Sequence, residues 1–358
     1  MKTSTDKVLL AMSGGVDSSV AAYLLQRAGY DVTGVFLCLG SAVAGDHTAR
    51  GCCSPADQAD AYRVADALGI NLFVLDASRQ FGQIIDYFIG EYARGRTPNP
   101  CIHCNTVVKF DRLIARADDL GIRYVATGHH ARMVGGAIHR AARKDQSYAL
   151  FGIAREQLGR ILLPIGEVAE KDQVRRIAAE LHLPVADKAD SQEICFVTGS
   201  YVELLRRRHP RALRPGPIVD SRGNVLGRHE GVGRFTIGQR RGLRVATGVP
   251  MYVTAIDPAT DTVTIGPREE VLAAGLVASG ANWHVDGKAP GEEFDAVVQI
   301  RYNHAGAPGR VRITGPGTFE VRFAEPVAAV TPGQAAAVYH GQRLLGGGWI
   351  DSKLPGSE

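Results

Sequence analysis

The chain has 358 residues, of which 45% are hydrophobic and 22% charged, and its formal net charge is +4. That length leaves room for two or three domains and a sizeable core. The composition excludes a disordered, collagenous or disulfide-dense chain, and no apolar run approaches the length of a membrane span. The opening MKTSTDKVLLAM has too short an apolar stretch for a signal peptide and lacks the arginine-rich pattern of an organelle presequence, so a cytoplasmic protein is expected. Its six cysteines, Cys38, Cys52, Cys53, Cys101, Cys104 and Cys195, all lie in the first 195 residues. Without a secretion signal they read as reduced, catalytic or metal-binding thiols.

The stretch VLLAMSGGVDSSVAAYLL reads as strand, glycine turn and helix. Gly14 and Gly15 can turn main-chain N–H groups outward at the helix start, which makes an anion-binding nest, and Ser13, Ser18 and Ser19 add hydroxyl donors. A Walker A loop is excluded, because no lysine follows the glycines. Asp17 instead would stand among phosphates, which calls for Mg²⁺ between the charges. The plainer alternative is a tight strand-to-helix turn with no ligand.

Further apolar runs at 32–39, 72–78 and 124–131 look like strands buried on both faces, alternating with helix-patterned segments that end near glycines. Such alternation predicts a parallel sheet with its ligand at the carboxyl ends of the strands. Within this region RGRTPNPCIHCNTVVKFDRL carries the C-x-x-C pair Cys101 and Cys104 ahead of an amphipathic helix. A thiol at a helix N-terminus, with Lys109 nearby, gains thiolate character, so Cys104 is a nucleophile candidate. Half a zinc site, a redox dithiol and sulfur chemistry compete for the pair; zinc ranks lowest, since Cys52 and Cys53 match no usual zinc spacing. Cys195 follows a polar lead-in, Asp187, Asp190, Gln192 and Glu193, that reads as a surface loop, whereas Cys38 reads as a small apolar strand residue. A nucleotide loop with two separated reactive cysteines suggests that ATP activates an oxygen which sulfur then replaces.

After about residue 200 the pattern becomes short alternating strands between Pro, Gly and Asp turns, an antiparallel sheet or barrel. The predicted domains are 1–200, 201–272 and 273–358, with a break expected across 272–280. Between Val202 and Arg244 stand eleven arginines and no lysine, against Glu203, Asp220 and Glu230. This basic zone reads as an RNA or DNA footprint, with a solvated arginine surface as the plain alternative; its Pro and Gly residues preclude one charged helix.

SGGVDSSV, TPNPCIHCN-x-x-x-KF, ATGHHAR, KDQSYAL, DSQEICF, FTIGQRRGL, IRYNH and PGQAAAVY, in this order over nearly the whole chain, resemble the bacterial tRNA-specific 2-thiouridylase family. The resemblance implies an α/β fold: a parallel-sheet PP-loop ATP pyrophosphatase domain, a small β-rich central domain and a C-terminal β-barrel. It implies a sulfurtransferase that adenylates the C2 oxygen of uridine 34 in the tRNAs for Lys, Glu and Gln, releases pyrophosphate, and replaces AMP by persulfide sulfur. By the same matches Cys195 carries the persulfide and Cys104 is the catalytic thiol, which either releases sulfide or resolves the product as a Cys104–Cys195 disulfide.

Ala11, Met12, Ser13, Gly14, Gly15, Val16, Asp17 and Ser18 are then expected to hold the ATP phosphates, Leu37 to border the adenine and Gly128 to lie against the nucleotide. Asn99, Pro100 and Cys101 would line the target base, while His129, Lys144, Asp145, Gln146, Arg301, Tyr302 and Gln334 match positions that meet tRNA. His129 as a strand cap, and Arg301 and Tyr302 as an ordinary barrel face, are the structural alternatives. A cysteine desulfurase or a persulfide relay protein would supply sulfur to a monomeric enzyme. Many family members have aspartate where this chain has Cys101, so no carboxylate role carries over there. The three thiols Cys101, Cys104 and Cys195 could instead ligate an iron-sulfur cluster, as in related ATP-loop thiolases. Two rival readings remain: an ATP-pyrophosphatase ligase, which needs no cysteine pair, and an RNA-binding module with a vestigial nucleotide fold.

Overall fold

A computed structural model of the protein describes residues 6–40, 54–168, 172–189, 194–197 and 200–354. Cys52 and Cys53, and Asp190, Gln192 and Glu193 of the expected polar lead-in, lie outside the described residues. The chain divides into two compact units: Met1–Ile84, Cys101–Thr198 and Gln342–Leu344 form the first, and Ile85–Pro100, Gly199–Gly341 and Leu345–Glu358 the second.

In the first unit, strands β1 (Lys7–Ala11), β2 (Asp31–Cys38), β3 (Asn71–Asp76), β4 (Tyr124–Ala126) and the short β7 (Ile161–Leu162) form a sheet in the order β3-β2-β1-β4-β7. Every pairing is parallel. Helices α1 (Val16–Arg27), α2 (Pro55–Leu68) and α5 (Asp111–Asp119) connect or flank the strands, and α3 (Ser78–Ala93) runs across the boundary between the units. The apolar run Val8, Leu9 and Leu10 is fully buried, which is the signature of a central parallel strand covered on both sides. β3 departs from that expectation: as an edge strand it leaves Val74 exposed, and the Arg116 guanidinium covers the ring of Phe73 at 5.3 Å. The strand order reverses between β1 and β4, since the chain builds outward from β1 through β2 to β3 and then returns to its other side, so the crevice beyond the carboxyl ends of β1 and β4 is the topological switch point of the sheet. Past it, the hairpin of β5 (Ala131–Val134) and β6 (Ala137–Arg140) pairs with Arg343 through His139.

Pro100–His103 forms one short helical turn, α4, which continues as a π-helical stretch over Cys104–Phe110 and then α5. His103, preceding Cys104, already has helical angles (φ −59°, ψ −42°). Cys104 therefore sits inside a continuous helical run rather than at the helix start where the sequence placed it. A π-helical widening of this kind re-aims side chains and recurs at functional sites.

The second unit holds two sheets. β8 (Gly216–Val219), β9 (Val225–His229), β10 (Tyr252–Asp257) and β11 (Thr262–Gly266) pair in the order β10-β11-β8-β9 around Ile218, Val253, Val263 and Ile265. The β11–β8 pair is parallel, against the expectation of purely antiparallel strands. β12 (Leu272–Trp283), β13 (Glu293–Gln299), β14 (Ala307–Gly315), β15 (Thr318–Ala328), β16 (Ala335–His340) and β17 (Arg343–Leu354) run β12-β15-β14-β13-β16-β17, and β12 pairs with β17 to close a barrel. Residues 272–280, where a break was expected, are part of β12; their small side chains fit a closed barrel's interior, where Ala273, Leu276 and Ala278 are buried. The arginine zone is interrupted as anticipated: Arg206, Arg207 and Arg208 end helix α6 (Tyr201–Arg208), Arg211 and Arg234 lie in short 3₁₀ turns, Arg228 lies on β9, and the rest are in loops.

Candidate active site

The phosphate-loop candidate sits at the switch point, between the end of β1 and the start of α1. Gly14 has φ +69°, a left-handed conformation, and a Cβ built on it would meet the Asp57 carbonyl oxygen at 2.1 Å. Only glycine satisfies both conditions. Gly15 caps α1 with extended angles and no side-chain hydrogen bond, so the first N–H groups of a twelve-residue helix point at the crevice with the positive end of its dipole behind them. Inside the turn, Ser18 Oγ donates to Gly15 O at 3.0 Å and accepts from Ser13 N at 3.2 Å, while Ser19 Oγ donates to the same carbonyl at 2.9 Å. Ser19 is wholly buried, so its hydroxyl braces the turn and is withdrawn from the ligand role expected for it.

Gly128 closes the other side. An added Cβ there would lie 2.8 Å from Ser18 N and 3.0 Å from the Asp17 carbonyl carbon, so the turn after β4 lies against the first turn of α1. Two histidines follow. His130 Nε2 stands 3.3 Å from Asp17 Oδ2, outside hydrogen-bond alignment, and its main chain is held by Gln146 from both directions: His130 N donates to Gln146 Oε1 at 2.9 Å and Gln146 N donates to His130 O at 2.7 Å. His129 is buried, with Nδ1 2.7 Å from Thr127 Oγ1 and Nε2 3.2 Å from Asn105 Oδ1. Asn105 Nδ2 donates onward to Ala149 O at 3.2 Å. Burial, with the charges of Lys109 and His130 nearby, pushes the His129 imidazole well below its usual value and keeps it neutral. The residue after Cys104 is thereby tied to the turn that flanks the phosphate loop.

Cys101 is exposed, and Cys104, Cys195 and Cys38 are half-buried. Phe196, beside Cys195, packs edge-on against Phe81 with ring centroids 5.7 Å apart. Among the described residues no group of three or more His, Cys, Asp or Glu side chains is placed to hold a metal ion, so Cys101, Cys104 and Cys195 are not gathered into the cluster site that the sequence left open.

Several expected RNA contacts have structural employment. Asp145 accepts from Ala141 N, Ser147 N, Ser147 Oγ and Arg140 Nη1, all within 2.9–3.1 Å, beside an exposed Lys144 at φ +48°. In the second unit, Gln334 Nε2 donates to Thr97 O at 3.0 Å and Pro98 O at 3.2 Å, fixing the loop that leads to the half-buried Asn99 and buried Pro100. Arg301 and Tyr302 are exposed on a turn whose two carbonyls accept from Gln299 Nε2. Leu37 is half-buried near the carboxyl end of β2, beside Leu75; Ala11 ends β1 and Met12 follows it.

Profiles of three families match in chain order: the tRNA methyl transferase HUP domain at residues 6–199, the tRNA methyl transferase PRC-barrel domain at 203–267, and the aminomethyltransferase beta-barrel domain at 273–350. A protein of Rhodopirellula baltica named tRNA-specific 2-thiouridylase MnmA is 46% identical over 96% of each chain. Its namesake in Carboxydothermus hydrogenoformans is 47% identical over 97% of this chain and 98% of its own, and that of Geobacter metallireducens 44% identical over 97% of both. The chain belongs to the tRNA-specific 2-thiouridylase family. The architecture agrees with what the sequence resemblance implied for that family: a parallel PP-loop sheet, a central β-rich part and a closed barrel. ATP binding by the family suits the crevice, where turned glycines, an uncapped helix start and a close-packed Gly128 leave room for main-chain donors on an anion.

One determinant escaped the sequence. Lys188 Nζ donates to Gly14 O at 2.8 Å and to Asp57 Oδ1 and Asp60 Oδ2, each at 2.6 Å. No spacing rule connects a lysine to a glycine so far away in the chain. The available signal was a lone lysine just before the Cys195 motif.

Proposed function

We propose that this protein is a tRNA-specific 2-thiouridylase that uses ATP to exchange the C2 oxygen of uridine 34 for sulfur in the tRNAs for Lys, Glu and Gln. The observation that carries the reading is the Gly14–Gly15 turn at an uncapped helix start, with Gly128 against it, in a chain sharing 44–47% identity, nearly end to end, with curated 2-thiouridylases. The profile names speak of methyl transfer, but an ATP loop coupled to cysteines suits adenylation followed by thiolation. Residues 1–200 would hold the chemistry, with 201–272 and 273–358 binding tRNA and Asn99, Pro100 and Cys101 around the flipped base.

In the proposed reaction the uridine O2 attacks the α-phosphorus of ATP, the α–β bridge breaks, and pyrophosphate leaves. A carbonyl oxygen is a poor leaving group, and as AMP it becomes a good one. Main-chain N–H groups of residues 14–17 receive the phosphate charge, with Ser13 beside them. Mg²⁺, when bound, would screen phosphate from the Asp17 carboxylate, whose side chain is 34% exposed. Sulfur reaches C2 from a persulfide on Cys195 by one of two balanced routes. In one, the Cys104 thiolate attacks Cys195 Sγ and expels hydrosulfide, which adds to C2 and displaces AMP. In the other, the terminal persulfide sulfur adds to C2, AMP leaves, and Cys104 then cleaves the S–S bond. Both end in a Cys104–Cys195 disulfide that an external thiol must reduce, and a cysteine desulfurase or persulfide carrier reloads Cys195. His129, neutral and buried, holds Asn105 and so the helix of Cys104.

Mass spectrometry of tRNA after incubation with ATP, Mg²⁺ and a persulfide source tests the reading. Formation of 2-thiouridine at position 34, with AMP and pyrophosphate in equal amounts, is expected; unmodified tRNA under conditions of ATP turnover would refute it.

A further inference from the structure

We propose that Lys188 is the positioning residue of the nucleotide loop, holding the Gly14–Gly15 peptide so that its N–H faces the phosphates, and fixing the root of the segment that carries Cys195. The proposal rests on the ATP-dependent reading above and deepens it. An ammonium has three donors, and here all three have acceptors: Gly14 O at 2.8 Å, Asp57 Oδ1 at 2.6 Å and Asp60 Oδ2 at 2.6 Å.

In a trans peptide the carbonyl and the following N–H point in opposite directions. Binding Gly14 O on one side therefore dictates that Gly15 N–H projects from the other. Gly14, at φ +69° with no side chain, would otherwise leave this peptide plane free to turn. A cation on the carbonyl also polarises the amide and strengthens it as a donor.

The anchor itself is fixed. Asp57 Oδ2 accepts from Ser54 N at 3.0 Å while Asp57 N donates to Ser54 Oγ at 3.1 Å, the capping box of α2; Asp57 Oδ2 also accepts from Ser54 Oγ at 2.6 Å, and Asp60 is paired with Arg63. The main chain of Asp57 abuts Gly14, so α2 and the loop cannot slide past each other without a clash. Burial would push the Asp57 carboxyl up, but hydrogen bonds from Lys188 and Ser54 outweigh it and hold the group below its usual range. For Lys188, burial would lower the ammonium, but Asp57 and Asp60 outweigh it and raise it. With two carboxylates around one ammonium, Lys188 is a brace for the loop more than a cation offered to the phosphates.

The test is calorimetric binding of ATP with Mg²⁺ to the full chain, compared among wild type, Lys188→Met and Lys188→Arg. Losing a charge-assisted brace should weaken ATP binding about tenfold or more in Lys188→Met. Arginine, which keeps the charge and donors, should restore most of that loss. The alkylation rate of Cys195, followed by peptide mass spectrometry, should change on adding ATP in wild type and not in Lys188→Met, which a merely structural lysine would not predict. Wild-type ATP affinity in Lys188→Met overturns the proposal. If that variant does not fold, tryptic cleavage after Lys188 in the wild type decides: slower cutting with ATP supports the brace, and an unchanged rate overturns it. A wild type that binds ATP but forms no 2-thiouridine would retire the proposed function and leave the Lys188 test intact.

Discussion

Gly128 lies against Ser18 so closely that a single methyl group on it would come within 2.8 Å of the Ser18 amide nitrogen. The turn after β4 and the start of α1 are thus in main-chain contact across the switch point of the sheet. Gly128→Ala must push the two apart, because neither neighbour is a flexible side-chain tip. We expect a destabilisation of about 1–3 kcal/mol, measured by urea unfolding, together with a loss of ATP binding. Wild-type ATP affinity in this variant would show that the contact does not shape the site.

The two cysteines are expected to separate the half-reactions. Cys104→Ala and Cys195→Ala should each abolish 2-thiouridine formation while tRNA-dependent release of pyrophosphate from ATP continues. Loss of pyrophosphate release in both variants would contradict the division of roles, and an active Cys104→Ser would favour a ligase.

Buried neutral His129 makes stability depend on pH. Its folded-state value is depressed, so below the unfolded value of about 6.5 the unfolded chain binds a proton that the folded chain refuses. The contribution is therefore intact above that pH and lost as pH falls. The groups facing it are Thr127, Asn105, His130 and Lys109. Replacing it by Gln should flatten the acid side of the stability curve by up to about 1.4 kcal/mol per pH unit. An unchanged slope would mean that other histidines dominate.

Affinity for tRNA should fall steeply with salt if the arginine zone is the footprint. Arg206 and Arg207 pair with Glu203, Arg208 with Asp86, and Arg234 and Arg244 with Glu230. Arg211, Arg214, Arg222, Arg228, Arg240 and Arg241 are exposed and enter no ion pair among the described residues. Removing the charge at Arg240 and Arg241 together should lower the slope of log affinity against log salt by about 1.5–2. A slope that does not change would place the RNA elsewhere.

Much of this protein was legible in the chain because the signals were local. Strand–glycine–helix punctuation at 8–25 marks the loop, apolar runs mark the parallel strands, and short alternating segments mark the later sheets, since burial pattern and backbone freedom act over a few residues. Local pattern failed where neighbours in space decide. The same apolar run that buries β1 leaves β3 at an edge, and a helix start placed at Cys104 dissolves into one continuous run once α4 and the π-helical stretch are joined.

Sequence by itself determined the residue types: glycines where a main chain must turn outward, thiols spaced along the chain, arginines without lysines. Tertiary structure alone decided which groups meet. It set Lys188 on the Gly14 carbonyl, Gly128 on the Ser18 amide and His129 on Asn105, contacts between segments far apart in the chain. Such contacts follow from closing a sheet and packing helices on it, and the free energy that fixes them comes from the assembled core.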